Sequence, residues 1–193
     1  HFSTVHDVSL LLQYALKSEE FNKIFKTKEY KTTNNIDLVS SVKKMGEQFN
    51  IDTSLILGSK TGYTDDAGLC LASVSEVNDI DYLLVTCGAP VKDNIPYHII
   101  DAYKIYKYYG ENYDYIPIIK KGDVIKKLKV ENGKEEEYLL KQEKTIKKYL
   151  KKDADIKVEY SGVDTLNMKI VKGDKLGTVK IYADDEEITS YDV

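Results

Sequence analysis

Two apolar, strand-like runs, Gly68 to Val77 and Tyr82 to Cys87, flank the pair Asn78-Asp79. Asn and Asp tolerate the left-handed backbone that a two-residue hairpin turn demands, so the runs are predicted to fold back on each other. A third run, Leu55 to Tyr63, precedes them across Asp65-Asp66, and the three read as an antiparallel meander. Such a sheet needs cover on at least one face, and the flanks supply it. Ser3 to Lys17 carries Val5, Val8, Leu11, Leu12 and Ala15 at helical spacing, with Ser3 or Thr4 as cap. A short helix is predicted around Glu19 to Phe25 and a longer one over Pro96 to Tyr109. Asn34 to Asn50 reads as loop chemistry followed by an amphipathic turn or two through Val39, Val42 and Met45.

After about Tyr113 the pattern changes to short strands separated by Lys-Gly-Asp, Asn-Gly and Asp-Asp turns. Asn132-Gly133 is the strongest hairpin signal of the chain. Lys121-Gly-Asp-Val-Ile-Lys-Lys-Leu-Lys-Val130 resembles Lys172-Gly-Asp-Lys-Leu-Gly-Thr-Val-Lys-Ile181, as two equivalent turn-strand units would. The fold class is therefore α+β, helices plus antiparallel strands over residues 1–113, followed by a small β-rich domain over residues 114–193.

Composition removes several functions. All 28 basic residues are lysine, against 32 acidic residues and a net charge of -4. Without guanidinium forks or a basic field, sequence-specific nucleic-acid recognition is not expected. Apolar runs such as Val8 to Leu12 are too short to cross a bilayer. Cys70 and Cys87 are too few for a disulfide framework, and His1, His6 and His98 are scattered, so neither a metal nor another cofactor is predicted. His6 and His98 read as helix-surface or core residues. A turn centred on Asn78-Asp79 would make Cys70 and Cys87 cross-strand neighbours, read here as two buried thiols rather than a disulfide. Tyr103, Tyr106, Tyr108, Tyr109, Tyr113 and Tyr115 are read as covering a seam between domains, with a glycan-stacking surface as the alternative.

The chemically informative segment is Gly58-Ser-Lys-Thr-Gly-Tyr-Thr-Asp-Asp-Ala-Gly-Leu-Cys-Leu-Ala-Ser73. Lys-Thr-Gly alone is short enough to arise by chance, and Lys60 read alone could be a solvated strand lysine and Gly62 a bulge. The longer string closely resembles the third motif of the serine D-Ala-D-Ala carboxypeptidases, the small penicillin-binding proteins. His1-Phe-Ser-Thr-Val-His-Asp-Val-Ser-Leu10 is similar to the family's His-Tyr-Ser-Thr-Ala-x-Asp helix, and Lys172-Gly-Asp-Lys-Leu-Gly-Thr-Val179 to a turn and strand of its C-terminal β domain.

The resemblance implies part of a transpeptidase-like, penicillin-binding domain followed by that small all-β domain. It implies a peptide substrate lying antiparallel to the motif strand. Lys60 and Thr61 would face the terminal carboxylate of a peptidoglycan stem peptide ending in D-Ala-D-Ala. Gly62 would let the strand approach the nucleophile's helix, and the backbone N–H of Tyr63 would be an oxyanion-hole donor. The family's reaction runs through an acyl-serine and is blocked by β-lactams. It requires Ser-x-x-Lys and Ser-x-Asn. Ser-x-Asn does not occur here, and Ser-x-x-Lys occurs only as Ser40/Lys43 and Ser41/Lys44, out of the family's order. The chain is thus expected to be inactive alone, with the nucleophile on a separate N-terminal segment, and to belong outside the cytoplasmic membrane. The alternatives are a non-catalytic envelope-binding or scaffolding protein with a degenerate fold, or a β-lactamase, which would not be expected to carry the β domain.

Overall fold

The computed structural model describes residues 2–167 and 169–193 and divides the chain into two compact units, His1–Glu111 and Asn112–Val193. His1, the first residue of the helix motif, lies outside the described residues. The first unit contains α1 (Val5–Ala15), α2 (Glu19–Lys26), β1 (Glu29–Lys31), β2 (Asp37–Val39), α3 (Ser41–Phe49), β3 (Gly58–Thr64), β4 (Gly68–Val77), β5 (Ile80–Ala89) and α4 (Tyr97–Asn112). The central sheet has the order β3-β4-β5, antiparallel throughout.

Local chemistry sets the element ends. The Ser-Thr-x-x-Asp part of the first helix motif is a capping box: Thr4 Oγ1 accepts from the Asp7 N–H at 3.1 Å while the Thr4 N–H donates to Asp7 at 3.3 Å. The Thr4 hydroxyl also donates to Asp7 Oδ2 at 2.8 Å, and this bond first, with the Thr4 N–H second, holds the Asp7 carboxyl below its ordinary range. Asn78 and Asp79 both take positive φ, 55° and 60°, as the predicted hairpin requires. The meander thus forms, with β5 longer at both ends than read and β3 running from Gly58 to Thr64 rather than from Leu55 to Tyr63. Residues 34–50 differ from the sequence reading. Val39 belongs to β2, which pairs with β1, and only Ser41–Phe49 is helical, ended by Asn50 at φ 51°. Three-residue strands carry too little alternation to announce themselves.

One face of the sheet buries its apolar side chains against α3 and α4. Val42, Ile56, Leu71, Ile99, Ala102 and Tyr106 form the core, with Leu84 and Tyr82 packed around it. Tyr106 corrects the seam reading for that residue: it is 1% exposed, and its hydroxyl shares a 2.8 Å bond with the buried Ser73 of β4. Burial pushes the Tyr106 phenol up to about 12, against hydrogen bonds from Ser73 and the Leu84 backbone. His98 is a core residue at 1% exposure.

The second unit contains β6 (Tyr113–Ile119), β7 (Val124–Val130), β8 (Glu137–Lys141), β9 (Ile146–Lys151), β10 (Ile156–Gly162), β11 (Thr165–Leu166), β12 (Gly177–Ala183) and β13 (Glu186–Asp192). They form sheets of order β10-β12-β13, β11-β7-β8 and β6-β9, antiparallel except for the parallel pair β11-β7. Ile119, Val179 and Ile181 form the core. The two Lys-Gly-Asp turns are built alike. Asp123 N–H donates to the Lys120 carbonyl and Asp174 N–H to the Val171 carbonyl, both at 3.1 Å, and the carboxylates accept back from Lys120 and Val171 N–H. Gly122 and Gly173 sit between, at φ 94° and 103°. Asn132-Gly133 does mark a hairpin, but the loop spans 131–136, closed by Val130 N–H to Glu136 O at 2.9 Å. Three consecutive glutamates, Glu135 to Glu137, follow the turn signal, and the last of them opens β8 opposite Lys129.

Tyr106→Phe should lower stability by about 1–3 kcal/mol, because it leaves the buried Ser73 hydroxyl without its partner. Tyr14→Phe, at a largely exposed tyrosine, should leave urea midpoints unchanged; equal effects would contradict this account. Burial lowers the His98 pKa from 6.5. Its folded state prefers the neutral ring, so its contribution is full above pH 6.5 and lost as pH falls below it. His98→Asn should flatten the pH dependence of the melting temperature as pH falls below 6.5.

Candidate functional site

Strand β3 is an edge of the central sheet: β4 pairs with it on one side, and no described strand pairs with the other. Its register sets Lys60 opposite Ala72, Thr61 opposite Leu71, Gly62 opposite Cys70 and Tyr63 opposite Leu69. Alternation places Lys60 and Gly62 on one face and Ser59 and Thr61 on the other, which Leu71 and Ser73 share. Lys60, Gly62 and Tyr63 are exposed and Thr61 is half-buried. The Lys60 ammonium donates to the Thr61 carbonyl.

Two glycines of this strand differ physically. A Cβ on Gly58 would stand 2.8 Å from the Phe25 ring and 2.9 Å from its carbonyl oxygen, so Gly58 is dictated by the packing of α2. A Cβ on Gly62 would meet only Cys70 Cβ, at 3.8 Å, an ordinary contact. Neither backbone conformation nor packing within the described residues demands glycine at 62. Its effect is to keep the space above the strand open.

Past the glycine, the Tyr63 hydroxyl donates to Asp65 Oδ1 at 2.6 Å, and this carboxylate raises the phenol's pKa. Asp65 lies in the turn after β3, where the sequence reading put it, and its closeness in sequence to Tyr63 was the available signal. The edge thus presents unpaired backbone groups, an ammonium and an uncrowded glycine side by side. That arrangement can hold an extended ligand carrying an anionic terminus.

Neither Ser-x-x-Lys joins this cluster. Ser40 is the N-cap of α3, its Oγ accepting from the Lys43 N–H at 3.2 Å, and Lys43 pairs with Glu29 at 2.7 Å. Glu29 raises the Lys43 pKa, which opposes any role as a base.

The cysteines also depart from the sequence reading. The register runs true from Val77↔Ile80 to Leu71↔Thr86, then shifts, so that Leu69 faces Ala89. A bulge therefore falls where Cys70 and Cys87 would have been opposed. Both thiols are free, Cys87 exposed and Cys70 half-buried, and neither is the buried hydrophobe expected. Among the described residues no group of His, Cys, Asp and Glu could hold a metal, and no helix is long and apolar enough to cross a membrane.

Residues 1–91 match the D-alanyl-D-alanine carboxypeptidase family and residues 113–193 match the C-terminal domain of penicillin-binding protein 5. Over residues 1–91 the chain is thus similar to the D-alanyl-D-alanine carboxypeptidases. It is 27% identical over 195 residues to the D-alanyl-D-alanine carboxypeptidase DacF of Bacillus subtilis, an alignment covering 96% of this chain and 48% of that protein. The fold is that of the solved carboxypeptidase DacD of Francisella tularensis (TM-score 0.59, 18% identity, 100% of this chain and 59% of that one). Penicillin-binding protein 6B of Escherichia coli is equally similar (TM-score 0.60, 18% identity, 99% and 49%). The chain spans about half the length of the curated relative and of the solved proteins it matches.

If Ser40 is a cap and not a nucleophile, a fluorescent penicillin should leave no adduct on Ser40 or Ser41 when the labelled chain is mapped by mass spectrometry. Ser40→Ala should cost about 1 kcal/mol of stability through the lost cap.

Proposed function

We propose that this chain supplies the substrate strand of a serine D-Ala-D-Ala carboxypeptidase. That enzyme would remove the terminal D-alanine of peptidoglycan stem peptides outside the cytoplasmic membrane, through an acyl-serine that β-lactams mimic. The nucleophile would come from an N-terminal segment, as the family's order of motifs requires. On this reading residues 1–113 are the later part of the catalytic domain, and residues 114–193 are the β domain.

The observation that carries the proposal is the space above Gly62 on the free edge of β3, next to an exposed lysine. The stem peptide pairs antiparallel with this edge, and its terminal carboxylate meets the Lys60 ammonium. The ammonium also stabilises charge developing at the nucleophile in a partly dry cleft. Thr61, half-buried on the other face, reaches the ligand only over the rim of the strand, so its hydroxyl contributes less. The Tyr63 backbone N–H serves as one oxyanion donor.

In the complete protein, Lys60→Ala should slow acylation by a D-Ala-D-Ala substrate on the order of 10²-fold with the melting temperature unchanged. Thr61→Ala should act more mildly. Gly62→Val should block acylation while preserving the fold, since the fold leaves room for the side chain. Acylation rates measured beside melting temperatures test all three. A Lys60→Ala variant acylated like the parent, or losing rate only as it loses fold, would falsify the assignment.

A further inference from the structure

The second unit holds a cleft of about 870 Å³ that the catalytic reading does not use. Its walls are β8 with the turn that follows it, the segment 170–176, and the end of β13. The floor is apolar and fixed. Leu140 is buried there, and the Tyr191 hydroxyl donates to Gln142 Oε1 at 2.7 Å. Gln142, only 7% exposed, donates in turn to the Lys144 carbonyl at 2.7 Å. The rim carries two apolar side chains among its lysines, Tyr138 at 48% and Val171 at 65% exposed.

Charge on this cleft runs against that of the chain. Asp192 is neutralised by Lys175 at 2.7 Å, and Asp174 is turned to the Val171 N–H. Lys141, Lys144 and Lys172 form no ion pair among the described residues, leaving three ammoniums against the carboxylates of Glu143 and Asp174. The chain as a whole is at -4. Two sheet edges, β8 and β13, also border the cleft, each pairing with one described strand only.

We propose that this cleft is the docking groove for an extended, acidic segment of a partner protein. Its apolar side chains would enter the floor and its carboxylates would meet Lys141, Lys144 and Lys172. A chain of L-residues alternates its side chains between two faces, which matches an apolar floor beneath a basic rim. The free edges offer it backbone pairing, the mode by which extended peptides add to sheets. A phosphate polymer would find cations at the rim but nothing for the floor. The groove lies wholly within the second unit and the proposal is independent of acylation.

The test titrates the 193-residue chain into a fluorescein-labelled heptapeptide alternating glutamate and leucine, read by anisotropy. Saturable binding that weakens with added salt is expected. Lys141→Glu with Lys172→Glu should weaken it about tenfold or more at an unchanged melting temperature. Val171→Asp should weaken it too, through the apolar part of the rim. The proposal is overturned by absent binding, by binding indifferent to these variants, or by equal binding of the same peptide with lysine for glutamate. Inorganic polyphosphate binding more tightly would assign the lysines to a phosphate polymer. Competition by a short peptide ending in D-Ala-D-Ala would make the groove a substrate subsite. Either result also overturns the proposal.

Discussion

Strand β4 is paired along both of its edges, and the arrangement of the first unit depends on that fact. With β5 returning through Asn78-Asp79 on one side and β3 held on the other, the outer edge of β3 is left unpaired within the described sheet. The side chains of β4 decide which face is buried. Leu71 and Ser73 turn towards Tyr106, and the hydroxyl pair formed there lets a tyrosine occupy the core without an orphaned oxygen. Register, once set by that face, fixes Lys60 and Gly62 on the opposite one, since a slip of one residue would exchange them with Thr61.

Much of this was legible in the sequence because turn chemistry and alternation are local signals. Asn78-Asp79 gave the hairpin, Ser3 or Thr4 as cap gave the start of α1, and Lys60-Thr61-Gly62 with its following string pointed to the carboxypeptidases. What escaped was set by contacts between distant residues. The bulge that separates Cys70 from Cys87 arises where Gly68, at φ 66°, and Gly88, at φ 76°, bring their backbones together through a 2.7 Å bond from Gly88 to Ala67. No spacing rule announces it. Tyr106 belonged by composition to a run of surface tyrosines, and only its position opposite Ser73 made it a core residue.

The short pattern Ser-x-x-Lys illustrates the same division. Serine three residues ahead of a backbone N–H is what a helix N-terminus selects, and a lysine there can pair with a nearby glutamate. Ser40 and Lys43 satisfy both needs structurally, which accounts for the motif without chemistry. The repeated Lys-Gly-Asp turns behave likewise: an aspartate that accepts from the residue three before it, across a left-handed glycine, is a reusable corner for a small β domain.

Gly62 is a position where stability and use pull in opposite directions. Its backbone is ordinary and a Cβ would meet nothing closer than 3.8 Å, so alanine there would restrict the unfolded chain and stabilise the fold by about 0.4–1 kcal/mol. A lineage selected for thermal endurance alone would therefore drift towards filling the site. An empty position that the fold would tolerate filling makes the residue at 62 a reporter of use: glycine leaves room for a ligand above the strand, and a side chain there would take that room away.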